Sequence, residues 1–148
     1  THSIHAMTVT VQPDGSVVTG APYDMIGVPG AEHLNCAFSK DGTKMVYSSD
    51  QDGDFEIFLL DLGSGMHTQL TSNTVPDRQP GFTIDGRVVF GSHMTSGAAN
   101  SNNLDGNREL FIMNDNGTGL WQLTVTTGTA INNWPDIRHE FRPFEYSG

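Results

Sequence analysis

A run of carboxylates is the stretch whose residue types and spacing could most directly do chemistry. Asp50, Asp52 and Asp54 fall within five residues, and Glu56 follows closely. Closely spaced oxygens suit Ca²⁺, a hard cation that takes about six to eight oxygen ligands. However, Gly53 stands at the fourth position of the run, whereas an EF-hand loop has its glycine at the sixth. The run therefore predicts either a calcium site or a solvated turn.

The other reactive side chains form no recognised catalytic motif. None of the six histidines has the i, i+4 spacing of a helical zinc motif: His2, His5, His33, His67, His93 and His139. Cys36 is the single cysteine and lies in an apolar stretch, which predicts a small core residue. Gly63-Ser64-Gly65-Met66 does not fit a nucleophile elbow. The sequence offers no covalent nucleophile in a known setting.

Short β-strands are the elements that must position these residues. Between residues 35 and 71 the sequence predicts four of them, at 37–39, 44–48, 56–61 and 67–71. Asp41-Gly42 is a hairpin turn, because glycine takes positive φ without penalty. The apolar run within 56–61 predicts a strand covered on both faces. Four antiparallel strands ending on a weakly apolar edge describe one blade of a propeller.

The same pattern occurs a second time. Asp85-Gly86 stands 44 residues after Asp41-Gly42, and Glu109 stands 53 residues after Glu56. The growth in spacing predicts an insertion at 98–103, between the second and third strands. Val88-Val89-Phe90 repeats Met45-Val46-Tyr47, and Gln122-Leu123-Thr124 repeats Gln69-Leu70-Thr71. Repeats of about 40 to 50 residues with four strands each indicate a propeller array.

These repeats resemble the WD-like repeat of TolB-type β-propellers. The first copy carries Phe-Ser-x-Asp-Gly, then Gly-Asp-x-Glu-Ile, then Gln-Leu-Thr, on Ser39, Asp41, Gly42, Ser49, Gly53, Glu56, Asp61, Leu70 and Thr71. In the second copy Thr83 replaces the serine, and Ile84 stands before the Asp-Gly turn. The resemblance implies an all-β fold of four-stranded antiparallel blades. It predicts fold more than function, because one fold hosts many functions.

The repeat divides the chain, treated as one propeller segment, into four parts. A partial blade and loop occupy 1–34, with a hairpin of strands 6–11 and 16–19 followed by a connecting loop from Tyr23 to His33. One blade occupies 35–76, and a second, with the insertion, occupies 77–127. The start of a further blade is predicted at 128–148, where Asn133-Trp134-Pro135-Asp136-Ile137 resembles residues 79–82. Trp121 and Trp134 are predicted to pack within blades rather than to bind sugars.

About three blades per chain would leave the propeller incomplete, since a closed ring needs about four to eight. Exposed strand edges pair with other chains. We therefore predict that the chain assembles with copies of itself or with the rest of a longer propeller. Two copies would give six blades, the number usual in the TolB-like family, and head-to-tail contacts that fail to close would give a filament. Starting at threonine rather than methionine suggests a processed or trimmed chain.

The resemblance also implies a ligand face, formed by the loops between second and third strands and between blades. It would carry His33, Asp77, Arg78 and His93, together with the acidic run and residues 100–107. The leading interpretation is a non-catalytic module outside the cytoplasm, periplasmic or secreted, that acts through protein contacts. One alternative is a structural subunit of an extracellular fibre. Another is a carbohydrate-active lyase or hydrolase that uses His33 and His93 in a completed funnel, with a metal.

Composition narrows the range of partners. The formal net charge is −10, and the chain has only seven lysines and arginines among its 148 residues. Nucleic acid is therefore not an expected partner, because its phosphates need a basic surface. No apolar stretch reaches the roughly 18 residues that a membrane-spanning helix needs. For the leading interpretation, no cofactor other than Ca²⁺ is predicted.

Overall fold

The structure, a computed structural model, describes residues 2–126. Within this range all regular secondary structure is β, in twelve strands: β1 (Ile4–Ala6), β2 (Val9–Val11), β3 (Val17–Thr19), β4 (Tyr23–Ile26), β5 (His33–Phe38), β6 (Lys44–Ser49), β7 (Glu56–Asp61), β8 (His67–Gln69), β9 (Asp77–Phe82), β10 (Val88–Ser92), β11 (Glu109–Met113) and β12 (Trp121–Gln122). The further blade predicted at 128–148, with Trp134, lies outside the described residues. No helix in the described range has the length and apolarity to cross a membrane.

Two four-stranded antiparallel sheets form the body of the molecule. Strands β5 to β8 pair in sequence order in the first sheet, and β9 to β12 do so in the second. Their central pairs have matching registers, since Tyr47 lies opposite Phe58 and Phe90 lies opposite Phe111. This match confirms the predicted alignment of Val88-Val89-Phe90 with Met45-Val46-Tyr47. Each sheet is a complete blade, and within residues 2–126 the sheets do not close into a ring.

The first strand of each sheet contains a β-bulge at the same repeat position. Among residues 2–126, Asn35 and Gln79, 44 residues apart, are the non-glycine residues with positive φ, at 52° and 57°. Register shifts in the pairing with the second strand occur at both places. A bulge inserts an extra residue, and positive φ is uncommon for residues other than glycine. The repeat therefore reproduces this conformation as well as the strand pattern.

Apolar residues fill two separate cores. The larger core lies between the two sheets, where Ile57 and Leu59 meet Phe90 and Phe111, with the two phenylalanine rings stacked at 6.0 Å. The second core lies on the opposite face of the first sheet. There Met45, Tyr47, Phe58 and Leu60 pack against Ile26. Strand β7 is thus covered on both faces, as its unbroken apolar run predicts.

Residues 2–26 form a two-stranded ribbon rather than a full blade. Strand β1 pairs with β4, and β2 pairs with β3. The prediction of a connecting loop from Tyr23 was wrong, because β4 begins there and buries Ile26 opposite Ile4. The strand predicted at 6–11 is split in two, and the main-chain N–H of Gly20 donates to the oxygen of Thr8 across the break, at 2.9 Å.

Two core predictions were also wrong. Cys36 is exposed, because β5 is the first strand of its sheet and pairs on one side only. Trp121 is 50 % exposed, because β12 is the last strand of the second sheet. Apolar residues on edge strands remain accessible where no neighbouring sheet covers them.

Candidate functional site

One end of the two sheets carries the residues predicted for the ligand face. His33, Glu56 and Asp77 begin β5, β7 and β9, while Asp50 and His93 directly follow β6 and β10. Antiparallel pairing brings these strand starts and strand ends to the same side of the molecule. The common face therefore follows from the topology, although the side chains within it have different partners.

Glu56 and Asp77 form a buried pair of carboxyl groups at this end. Both side chains are fully buried, and both accept from the side-chain amide of Asn73, at 3.5 Å and 2.8 Å. The main-chain N–H of Asn73 also donates to Glu56 at 2.5 Å, and the Thr71 hydroxyl donates to the same carboxylate. Because Glu56 belongs to the first sheet and Asp77 to the second, this network joins the two blades.

The protonation of this pair differs from that of ordinary carboxyl groups. Burial raises the pKa of Glu56 to about 7; hydrogen bonds from Thr71 and Asn73 oppose the rise, and Asp77 adds to it. Burial also raises the pKa of Asp77, against hydrogen bonds from Ser92, Thr71 and Asn73. Two like charges at close range in a buried setting disfavour double ionisation. The pair therefore retains a proton at pH values where exposed carboxyl groups have lost theirs.

The second sheet contains a buried glutamate at the equivalent position. Glu109 accepts from the hydroxyl of Thr124 and from the main-chain N–H of Thr126 at 2.5 Å. Burial raises the pKa of Glu109, but the hydrogen bonds from Thr124 and Thr126 outweigh burial and hold it below its ordinary value. The interval from glutamate to threonine is 15 residues in both sheets, which is a signal that the sequence already contains.

His33 is a buried residue rather than an open ligand. It is 2 % exposed, and its Nε2 accepts the main-chain N–H of Val28 at 3.0 Å. Burial lowers the pKa of His33, while the nearby Asp50 acts in the opposite sense. The ring lies edge-on to Tyr47 at 6.0 Å. A neutral imidazole therefore accepts a hydrogen bond that helps to fix the loop between the ribbon and the first sheet.

Arg78 and His93 occupy separate positions on the same end. The guanidinium of Arg78 lies 3.8 Å from the centre of the Phe55 ring, a cation–π arrangement. His93 is exposed, and its Nδ1 lies 2.9 Å from the main-chain oxygen of Gly106. Within residues 2–126, His33 and His93 have no hydrogen-bond or ring partner in common. The funnel site that would use both histidines stays a prediction.

The side chains of the acidic run have different surroundings. Asp50 accepts the main-chain N–H of Glu32 at 2.6 Å, and Asp52 accepts from the Gln69 side chain. Asp54 is half-buried, and Glu56 belongs to the inter-blade network. Among residues 2–126 no three histidine, cysteine, aspartate or glutamate side chains come together in a group that could hold a metal ion. Calcium binding stays a prediction for titration.

Asn73 is the site residue that the sequence did not indicate. Its side chain reaches both carboxylates, and its Oδ1 accepts the main-chain N–H of Val75 at 2.8 Å, which fixes the loop between β8 and β9. The cluster accordingly links the two blades through hydrogen bonds and holds two carboxyl groups whose pKa values are raised. The buried carboxylates present no open surface to a substrate.

Together, the repeated sheets, the shared bulge and the inter-blade core define an incomplete TolB-like β-propeller. The structure resembles a TolB protein from Agrobacterium tumefaciens with a TM-score of 0.58 at 18% sequence identity. It resembles TolB from Acinetobacter baumannii with a TM-score of 0.55 at 19% identity. The matches cover 82% and 86% of this chain but only 43% and 31% of those proteins. No protein-family model and no curated protein matches the sequence.

Proposed function

We propose that the chain is a non-catalytic, extracytoplasmic propeller module that acts through protein contacts and completes its blades with a second copy of itself. The proposed location outside the cytoplasm rests on the resemblance to TolB-type propellers. A closed pair of chains and a head-to-tail filament with a fibre-like role are its two possible assemblies. The main support comes from one pair of equivalent residues, Phe38 and Phe82.

These two phenylalanines end the first strands of the two sheets, 44 residues apart. Phe82 is half-buried and packs on the core between the sheets, because the first sheet covers it. Phe38 is 53% exposed, because the ribbon that precedes the first sheet supplies only two strands. The uncovered position is the place where the inner strands of a preceding blade would lie.

The outer half of the ribbon also lacks strand partners among the described residues. Within residues 2–126, β2 and β3 pair only with each other, and Val9, Val11, Val17 and Val18 are all more than half exposed. An isolated two-stranded ribbon is marginally stable, whereas three or more strands with a covered face are stable. A further pair of strands would cover Phe38 and extend the ribbon to four strands. The sequence at 133–137, which resembles the start of a blade, is a candidate for one of them.

The assembled mass tests this proposal. We expect light scattering on the purified chain to show dimers or longer polymers, and negative-stain images to show rings or filaments. Phe38→Asp should give a monomer at the same concentration, because it places a charge in the proposed contact. Ile84→Asp is the matched control, since Ile84 is 82% exposed on a turn outside that contact. A monomeric unmodified chain, or equal effects of the two substitutions, would contradict the proposal.

A further inference from the structure

The outer edges of the two sheets differ in their accessibility. In the second sheet the inserted segment lies against β12, where the Asn100 side chain donates to the main-chain oxygen of Gln122 at 2.9 Å. It also accepts the main-chain N–H of Gln122 at 2.7 Å. The main-chain N–H of Asn102 donates to the Gln122 side chain at 2.7 Å. One asparagine therefore takes the place that a neighbouring strand would have.

Among residues 2–126, no segment covers the outer edge of β8, the outer strand of the first sheet. It is the last strand in its sheet, and all three of its residues are exposed. Main-chain bonds from Leu70 to Ile57 at 2.7 Å and from Asp61 to Met66 at 2.9 Å flank the strand. Antiparallel bonding alternates along a strand, so the main-chain groups of His67 and Gln69 point away from β7. No group of residues 2–126 bonds to these outward donors and acceptors.

A groove adjoins the far end of this strand. It has a volume of about 380 Å³ and runs between the two sheets, with apolar side chains from Leu70, Val75, Met94, Met113 and Leu120 among its lining. An added strand places alternate side chains on the same face, so one of them could enter this groove. Edge pairing supplies main-chain hydrogen bonds, and such a groove supplies selectivity for side chains.

The charges around β8 favour a basic partner. Asp61 is the last residue of β7, before the turn that leads into β8, and Asp52 accepts a hydrogen bond from the Gln69 side chain. The whole chain carries a formal net charge of −10. Complementary charge steers binding and selects among partners.

We propose that β8 accepts an extended peptide segment of a partner protein as a fifth strand, with alternate apolar residues and flanking lysines or arginines. One apolar side chain of that segment occupies the groove beside Leu70. This binding mode is independent of the assembly proposed above, because it uses the outer edge of the first sheet rather than the ribbon and Phe38. The inserted segment occupies the outer edge of β12, so a peptide cannot pair with that strand in the same way.

A synthetic peptide tests the proposal without changing the protein. The probe is a fluorescein-labelled peptide of sequence lysine-valine-threonine-valine-threonine-valine-lysine, measured by anisotropy. Two further peptides carry N-methyl groups either on the threonine amides or on the valine amides. Because only one of these sets faces β8, we expect one methylated peptide to lose at least tenfold in affinity and the other to bind as the parent does. No binding of the parent, or equal loss in both, would overturn the proposal.

Protein variants give a second test. Gln69→Pro removes one outward N–H, and proline is tolerated on edge strands, so binding should weaken at least tenfold. Gln69→Ala is the matched control, because it removes the side chain and keeps the N–H. Asn100→Ala uncovers β12 and should raise the peptide stoichiometry from one to two per chain. Equal binding to the two Gln69 variants would refute the edge mode; should Gln69→Pro fail to fold, the methylated peptides decide.

Discussion

Replacing Glu56 by glutamine should make the protein more stable in mildly alkaline solution. The pKa of this buried carboxyl is about 7 in the folded chain, against 4.5 for the free side chain. A group that binds its proton more tightly in the folded state stabilises that state while it stays protonated. This contribution is fully present below pH 4.5 and is lost as the pH rises through 7.

The size of the effect follows from the gap between the two pKa values. Each pH unit corresponds to about 1.4 kcal/mol, so ionising Glu56 beside Asp77 costs up to about 3 kcal/mol of unfolding free energy. A glutamine cannot ionise and still offers an oxygen to Asn73. The variant should therefore lose most of the decline in stability between pH 5 and pH 9 that the unmodified chain shows. A smaller decline should remain, because burial also raises the pKa of Asp77.

The assay is urea unfolding followed by circular dichroism at several pH values between 5 and 9. Glu109→Gln is the matched control, because it makes the same change at the equivalent position and alters the net charge equally. The pKa of Glu109 is lowered, so its charged form stabilises the fold and that stability is lost as the pH falls. The control should lose about 1–3 kcal/mol near pH 8, where Glu56→Gln gains. Parallel stability–pH curves for Glu56→Gln and the unmodified chain would refute the reasoning.

Three further predictions concern residues outside this pair. Gly117→Ala should destabilise the fold by about 1–2 kcal/mol in urea unfolding, because φ is +80° and an added Cβ would lie 3.0 Å from the main-chain oxygen of Leu70. Gly86 has a similar φ but lies in open space, so Gly86→Ala should destabilise the fold less. Cys36 should react with a thiol reagent in the native protein nearly as fast as in urea, because it is exposed; strong protection would contradict its position. Lys44→Ala should lower the free energy of unfolding by less than about 1 kcal/mol in urea, because the ion pair of Lys44 with Asp115 is partly exposed. A larger loss would show that the pair is more than a surface contact.

The blades were predictable because local and repeated signals agree. Strand β7 has the predicted bounds, since its apolar run is uninterrupted and both faces are covered. Strand β4 was not predictable, because its four residues lie among prolines and glycines and its pairing partner is some twenty residues away. Exposure of Cys36 was missed for a related reason. A strand pattern shows that a residue alternates, but only the neighbouring strands decide whether either side is covered.

The site was less predictable than the blades because its chemistry depends on which side chains meet in the folded chain. The repeat pattern does not specify those contacts. The single acidic groups were identified from the sequence, whereas the role of Asn73 was not. Its amide reaches Asp77 four residues further along the chain and Glu56 seventeen residues earlier. Such a contact requires the loop between the blades to fold back on the first sheet. No residue pattern within one repeat contains that information.

Glu56 and Glu109 show why a repeat does not by itself transfer chemistry from one blade to the next. Both begin the third strand of a sheet, both are fully buried, and both accept from a threonine 15 residues later. Nevertheless the pKa of one is raised and that of the other is lowered. Asp77 adds to the rise in the pKa of the first glutamate, whereas hydroxyl and main-chain N–H groups of two threonines donate to the second and lower its pKa. The repeat therefore sets the fold, and the groups around each glutamate set its pKa.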